Sequence, residues 1–240
     1  MIVHKVAYCM NIKKAHIDSI NLMSEGFEDL FENDNYHIEI IKAKGIYSPS
    51  RYKSEFGQKL KRNLAEVKVI HTSRGLSIPL KRLANNNQKQ IIEFGGLSGY
   101  LERSQLLQEF FKNVIVEMED ALICRIDICL DYSRIPSSAI KNLKENRNPF
   151  KFKNSTYYKS KSEKKINPYY DVKIYNHSLK NGLESKVKRI EFCFKKSFIG
   201  DVRLRDIESI YPKMEKAILK ASGLSAKIDS FFSKLQNNYQ

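Results

Sequence analysis

Three short stretches of this chain place reactive side chains at alternate positions: Val172-Lys-Ile-Tyr-Asn-His177, Arg125-Ile-Asp-Ile-Cys-Leu-Asp131 and Lys188-Arg-Ile-Glu-Phe-Cys-Phe194. Successive side chains of an extended strand point to opposite faces. Ile126, Ile128 and Leu130 therefore share one face, and Arg125, Asp127, Cys129 and Asp131 share the other. The third stretch repeats this, with Ile190, Phe192 and Phe194 opposite Arg189, Glu191 and Cys193. The second face of the tyrosine stretch carries Asp171, Lys173, Tyr175 and His177. Paired in one sheet, the three would gather carboxylates, bases and a tyrosine on one surface. That set suits metal-assisted attack of a phenol on a phosphodiester. A tyrosine phenol has a reference pKa of about 10, so it needs a metal, a base or a cation beside it to react at neutral pH.

Tyr175 is the candidate nucleophile, with Lys173 beside it. Asp127 and Glu191 are the leading ligand candidates for Mg²⁺ or Mn²⁺, both of which take carboxylate oxygens. Glu93 is the third, placed on the polar side of Ile91-Ile-Glu-Phe94 opposite Ile92 and Phe94. Asp131 shares the face of Asp127 but lies ~13 Å along the strand, which suits a capping or pairing role. His177, two places after Tyr175, is open between cation and base.

Lys plus Arg number 42 against 27 Asp plus Glu, a formal net charge of +15, which favours a polyanionic partner. Residues 141–165 carry nine Lys or Arg against two Glu, interleaved with Phe150, Phe152, Tyr157 and Tyr158. A solvated charged surface is the plain reading of such a run. The aromatics favour a groove in which bases stack on rings while cations track the phosphates. Lys151, Lys153, Lys159, Lys161, Lys164 and Lys165, with Arg125 and Arg189, are the nucleic-acid contacts expected.

Five motifs in order resemble the Rep-trans rolling-circle replication initiators of staphylococcal-type plasmids, together with phage replication initiation factors and related relaxases. They are Ile91-Ile-Glu-Phe94 with a helix ending at Glu119, Arg125 to Asp131, Ser155-Thr-Tyr-Tyr-Lys159, Lys173 to His177, and Arg189-Ile-Glu-Phe192. They span roughly residues 90 to 200. The family's lysine two places after the tyrosine is His177 here, the glutamate three further on falls at Lys180, and the turn glycine is replaced by Lys159. The resemblance implies a metal-dependent nickase and strand transferase. It would cut one strand of its element's origin through a 5′-phosphotyrosine intermediate, with Tyr175, Asp127 and Glu191 in the matching places. Its partner would be double-stranded origin DNA and the nicked single strand, with room for a homodimer and a host helicase. A relaxase, a transposition or phage strand transferase, and a DNA-binding regulator without catalysis are the alternatives. The competing nickase class holds its metal with a His-hydrophobic-His pair, and none occurs among His4, His16, His37, His71 and His177.

To position these residues the chain needs strands flanked by helices. The hydrophobic spacing predicts strands over 2–11, 36–43, 66–71, 90–95 and 121–131, and a strand pair within 152–176. It predicts helices over 14–32, 102–119, from about 137, around 207–218 and over 226–235. Residues 44–65 read as a basic, poorly patterned segment, and the basic 141–165 stretch reads as an insertion between core elements. A strand followed by a helix recurs after Ile91 and again after Arg189. The fold class expected is α+β, with two pseudo-symmetric curved antiparallel sheets backed by helices. The chain reads as a single catalytic nicking domain, 1–240, with lobes 1–120 and 121–240. The four cysteines, Cys9, Cys124, Cys129 and Cys193, form no CxxC pair and read as reduced thiols. No apolar run approaches the ~20 residues that span a bilayer, so no membrane partner is expected and the place of action is the bacterial cytoplasm.

Overall fold

The structure, a computed structural model, describes residues 13–27, 36–41, 64–72, 77–83, 86–95, 97, 115–160, 169–181 and 186–230. Its strands are β1 (Lys13–Glu25), β2 (Tyr36–Ile41), β3 (Leu64–Thr72), β4 (Ser77–Leu83), β5 (Asn86–Gly95), β6 (Leu122–Tyr132), β7 (Arg147–Phe152), β8 (Ser155–Ser160), β9 (Tyr170–Asn176), β10 (Lys188–Lys195) and β11 (Ala226–Ile228). The helices are α1 (Ser137–Asn146), α2 (His177–Asn181), α3 (Lys196–Ile199), a 3₁₀ segment (Leu204–Ile210) and α4 (Tyr211–Ser222). The fold is α+β, as its pattern of strands and helices predicts. None of the described helices is long and apolar enough to cross a membrane.

The two expected sheets are two halves of one sheet, in the order β2-β3-β4-β5-β1-β6-β10-β9-β8-β7. Each half opens with a strand that lies at the middle, β1 or β6, and continues as a four-strand meander whose last member returns beside it. The two middle strands pair with each other, antiparallel. All pairings in this path are antiparallel.

The apolar face of the second half packs against helices. Ile126, Ile128, Leu130, Val172, Ile190, Phe192 and Phe194 join Ala139 and Leu143 of α1, Phe198 of α3, and Leu204, Ile207, Met214 and Ile218 behind them in one buried cluster. Each of these side chains larger than alanine contributes roughly 1.5–3 kcal/mol by leaving water. Ala139 and Leu143, one turn apart, are the buried residues of α1. The Asn142 amide donates to the Ser222 carbonyl at 3.1 Å, tying α1 to the end of α4. Gly223 closes α4 in the left-handed region at φ 72°, a conformation glycine adopts without a Cβ clash.

Several expectations are corrected. The segment expected as a helix from Lys14 is β1. A bulge between Ile17 and Ser19 inserts Asp18 into the ladder, so the buried apolar positions run Ala15, Ile17, Ile20, Leu22. The resulting three-residue step imitates a helical period. The helix expected from Ala226 begins as β11, which pairs parallel with Lys13 to Ala15. The described part of the 141–165 stretch, residues 141–160, is not an insertion: it completes α1 and forms the β7–β8 hairpin that continues the sheet. The pattern also did not reveal β4. The helix expected over 102–119 is described only from residue 115, where 115–117 are helical. The expected strand 2–11, nearly all of the basic segment 44–65, and Lys161, Lys164 and Lys165 lie outside the described residues.

Candidate functional site

On the face away from the helices, strand register lines the polar side chains up in rows. One row runs Glu93, Asn21, Arg125, Lys195 across β5, β1, β6 and β10. The next runs Gly95, Ser19, Asp127, Cys193, Asp171. A third runs His16, Cys129, Glu191, Lys173, Tyr157, and a fourth Asp131, Arg189, Tyr175, Ser155. Asp127 and Glu191 are thus diagonal neighbours on adjacent strands, and so are Glu191 and Tyr175. Diagonal pairs in a sheet lie within reach of long side chains.

The side chains use that reach. The Tyr175 hydroxyl donates to Glu191 Oε2 at 2.9 Å, and the Lys173 ammonium forms an ion pair with Glu191 Oε1. The Cys193 thiol also points at Glu191 Oε1, at 3.4 Å. Arg125 clamps Asp127 with both arms of its guanidinium, Nε to Oδ1 and Nη2 to Oδ2, each at 2.7 Å. Such bidentate pairs fix orientation as well as charge. Arg189 holds Asp131 in the same forked way and reaches Asp18 Oδ1 with Nη1 at 2.7 Å. His16 completes that cluster, 3.4 Å from Arg189 Nη2.

Burial sets the electrostatics. Asp127, Glu191, Arg189 and Tyr175 are all buried. Burial and the nearby charge of Asp127 raise the carboxyl of Glu191 above its ordinary range, against the pull of Lys173. Burial would raise Asp127 too, but the Arg125 charge and hydrogen bonds, with help from Lys173 and Ser19, bring it below the usual carboxylate value. The two acids are thereby driven apart in basicity. Burial and the Glu191 charge push the Tyr175 phenol up, so in the resting site it is protonated and donating. Burial opposes the charge of Lys173, but Glu191 outweighs it and holds the ammonium protonated. Burial raises the thiols of Cys129 and Cys193 well above normal, so both stay neutral.

Asp127, Glu191 and Cys193 bring ligand atoms within 4.8 Å of one another, close enough to share one ion. Two buried carboxylates suit Mg²⁺ or Mn²⁺. The neutral thiol adds little for a hard cation. Glu93 stands apart from that group. Its strand is two removed from β6, ~10 Å across the sheet, and its charge bears on Arg125.

Of the two arginines expected to meet phosphates, Arg189 needs correction. Arg189, at 2% exposure, is sequestered between Asp18 and Asp131 and cannot meet a backbone phosphate. Arg125 is engaged by Asp127, though it remains partly exposed. Asp131 pairs, as its distance from Asp127 suggests. His177 begins α2, its ring 6.1 Å from that of Tyr175. Lys151, Lys153 and Lys159 are exposed on the β7–β8 hairpin. The sequence did not point to His16, Asp18 or Ser19, because a helical reading of β1 scatters them around a cylinder. Their alternation with Ala15, Ile17 and Ile20, offset once by the bulge, is the signal that could have found them.

No family model matches the chain, and no curated protein matches it. Among solved structures it is similar to a rolling circle replication initiator protein from Geobacillus stearothermophilus. The two are 13% identical with a TM-score of 0.45, over 87% of this chain and 85% of that one.

Proposed function

We propose that this chain nicks one strand of DNA and holds the cleaved end on Tyr175. The observation that carries the reading is the Tyr175 hydroxyl donating at 2.9 Å to Glu191, a buried carboxylate of raised basicity that also contacts Lys173. A nucleophile hydrogen-bonded to a base that a third group orients is the arrangement that activates a weak nucleophile. The phenol oxygen attacks phosphorus and the P–O3′ bond breaks. The 5′-phosphate passes to Tyr175, and the 3′-oxygen leaves as a hydroxyl. Glu191 accepts the phenol proton as the O–P bond forms, because a phenol this basic is not ionised beforehand. The proton can then serve the leaving oxygen. Lys173, within reach of the same carboxylate, is the cation for charge developing on phosphorus.

A divalent cation held by Asp127 and Glu191 would polarise the scissile phosphate. In the free protein those two acids are balanced by Arg125 and Lys173, so the four charges sum to zero. An added dication then leaves an excess of two positive charges, and each DNA phosphate drawn to the site offsets one of them. Metal and DNA should therefore bind cooperatively, each tightening the other by the same factor. The net charge of +15 suits the polyanion. The motif resemblance supplies the biological setting proposed, initiation of rolling-circle replication by a plasmid or other mobile element.

The test is to incubate the protein with Mg²⁺ or Mn²⁺, single-stranded DNA of mixed sequence and a supercoiled plasmid carrying a candidate origin. Denaturing gels would look for a covalent adduct, and mass spectrometry would locate it. An adduct on the peptide holding Tyr175, lost in Tyr175→Phe, supports the reading. An adduct elsewhere, or none with any substrate, defeats it.

A further inference from the structure

The rows of the site face do not stop at Tyr175. They continue through β8 onto the edge strand β7: Arg189, Tyr175, Ser155, Phe152 in one row and Glu191, Lys173, Tyr157, Phe150 in the next. Phe150 and Phe152 are 47% and 38% exposed, large apolar rings left in water on a protein that buries its other described phenylalanines. Tyr158, on the opposite face of the same hairpin, is buried in the core. The exposed phenylalanine rings of the hairpin thus lie on the site side.

Each ring carries its own cation. Lys159 Nζ sits 4.8 Å from the centroid of Phe150, and Lys153 Nζ sits 5.8 Å from that of Phe152. Lys153 is held in the left-handed region at φ 51°, in the two-residue turn that joins the strands. Pro149 has no N–H, and it stands in the same strand at the sheet's end, where it blunts pairing with a further strand. A β-strand partner is thereby disfavoured. Aromatic faces flanked by lysines instead complement bases on a phosphate backbone.

Geometry selects the form of the strand. Residues two apart on a strand are ~6.7 Å apart. That is about twice the 3.4 Å rise of a stacked strand, so neighbouring bases reach both rings only when unstacked. A duplex cannot offer them. From Tyr175 to Phe152 there are two strand spacings, ~10 Å, which places the rings within a few nucleotides of a phosphate at the phenol.

We propose that Phe150 and Phe152 form a stacking platform for single-stranded DNA, holding bases close to the phosphate at Tyr175. This rests on the nicking reading for its register, but the binding itself does not. The experiment uses full-length Tyr175→Phe protein as parent, so that no covalent adduct contributes. Anisotropy of fluorescent oligothymidine and of a labelled duplex is compared for the parent, Phe150→Ala, Phe152→Ala, the double variant and Phe150→Trp. Each alanine should weaken single-strand binding about tenfold, the double variant more, with Trp restoring it. Duplex affinity should change less than about threefold, and the melting temperature should hold. A double variant that binds oligothymidine within about twofold of its parent overturns the platform. Equal losses on single strand and duplex overturn it too, making the rings a general contact. Should wild-type protein form no adduct while oligothymidine binding still depends on the rings, the nucleophile reading falls and the platform stands. An adduct with ring-independent binding gives the reverse.

Discussion

The two halves of the sheet share a strand order, yet the second concentrates the chemistry. Superposing the pairing registers aligns Glu93 of β5 with Glu191 of β10, each in an Ile-Glu-Phe sequence. Where the second half pairs Asp127 with Cys193, the first pairs Ser19 with Gly95. Where Tyr175 stands opposite Arg189, the first half has Lys81 opposite Ile91. A carboxylate at the equivalent place is therefore not sufficient. Glu191 becomes a candidate base because Tyr175, Lys173 and Asp127 surround it, and function resides in that constellation, not in the scaffold.

Substitutions that erase the difference should break the site in order of how much they remove. Tyr175→Phe deletes only the oxygen, and covalent adduct and nicking should fall below detection on denaturing gels, with duplex binding retained. Arg189→Ile copies the first half's Ile91 and strands Asp18 and Asp131 without their cation. Removing one partner of a buried ion pair costs about 3–5 kcal/mol, so urea unfolding should show a loss of that order. A loss under 1 kcal/mol would mean that the two aspartates find water or other partners.

Glu191→Gln keeps the shape and removes the base. Cleavage should drop about 10²-fold or more. Asp127→Ser, the first half's residue, should also cut cleavage and weaken Mn²⁺ binding by calorimetry. The pH profile separates the two kinds of acid. Asp131, with its carboxyl held low by Arg189 against burial, contributes stability present above its unfolded value near pH ~4. That stability is lost as pH falls through the folded value. Glu191 is raised, so its contribution is present below its unfolded value and lost as pH rises through the folded one. Melting temperature against pH should show a weaker acid decline in Asp131→Asn, and less loss above pH ~4 in Glu191→Gln. The smallest effect is expected of Glu93→Gln, under about threefold on cleavage. A larger fall would extend the site across β1 into the first half.

Much of this was legible because strand alternation is a short-range signal. The opposition of Ile126, Ile128 and Leu130 to Arg125, Asp127 and Cys129 follows from local pleating, and so does the split in β10. The repeated Ile-Glu-Phe pointed to two related halves. What failed was what long-range pairing decides. The bulge at Asp18 turned an alternating strand into a helical-looking one, because one inserted residue shifts the buried set by one. Ala226 to Ile228 is a strand because Lys13 to Ala15 lies beside it, and no local pattern encodes that neighbour. Arg189 looked like a phosphate contact because a reading of charge alone does not show its partners. Once β1 brings Asp18 beside Arg189, that cation is committed.

The neighbours of β1 also fix the order in which the molecule can be finished as it leaves the ribosome. Its residues wait for partners at 86–95, then at 122–132, and finally at 226–228. Contacts this distant in sequence fold slowly, since long loops must close before pairing rewards them. Until residue 122 emerges, β1 presents an unpaired edge in the nascent chain. Asp18 cannot meet Arg189 until 171 further residues have been made. A chain stalled shortly after β5 would thus leave a half-sheet in which β1 is an edge strand paired on one side only, a species prone to pair with its own copies.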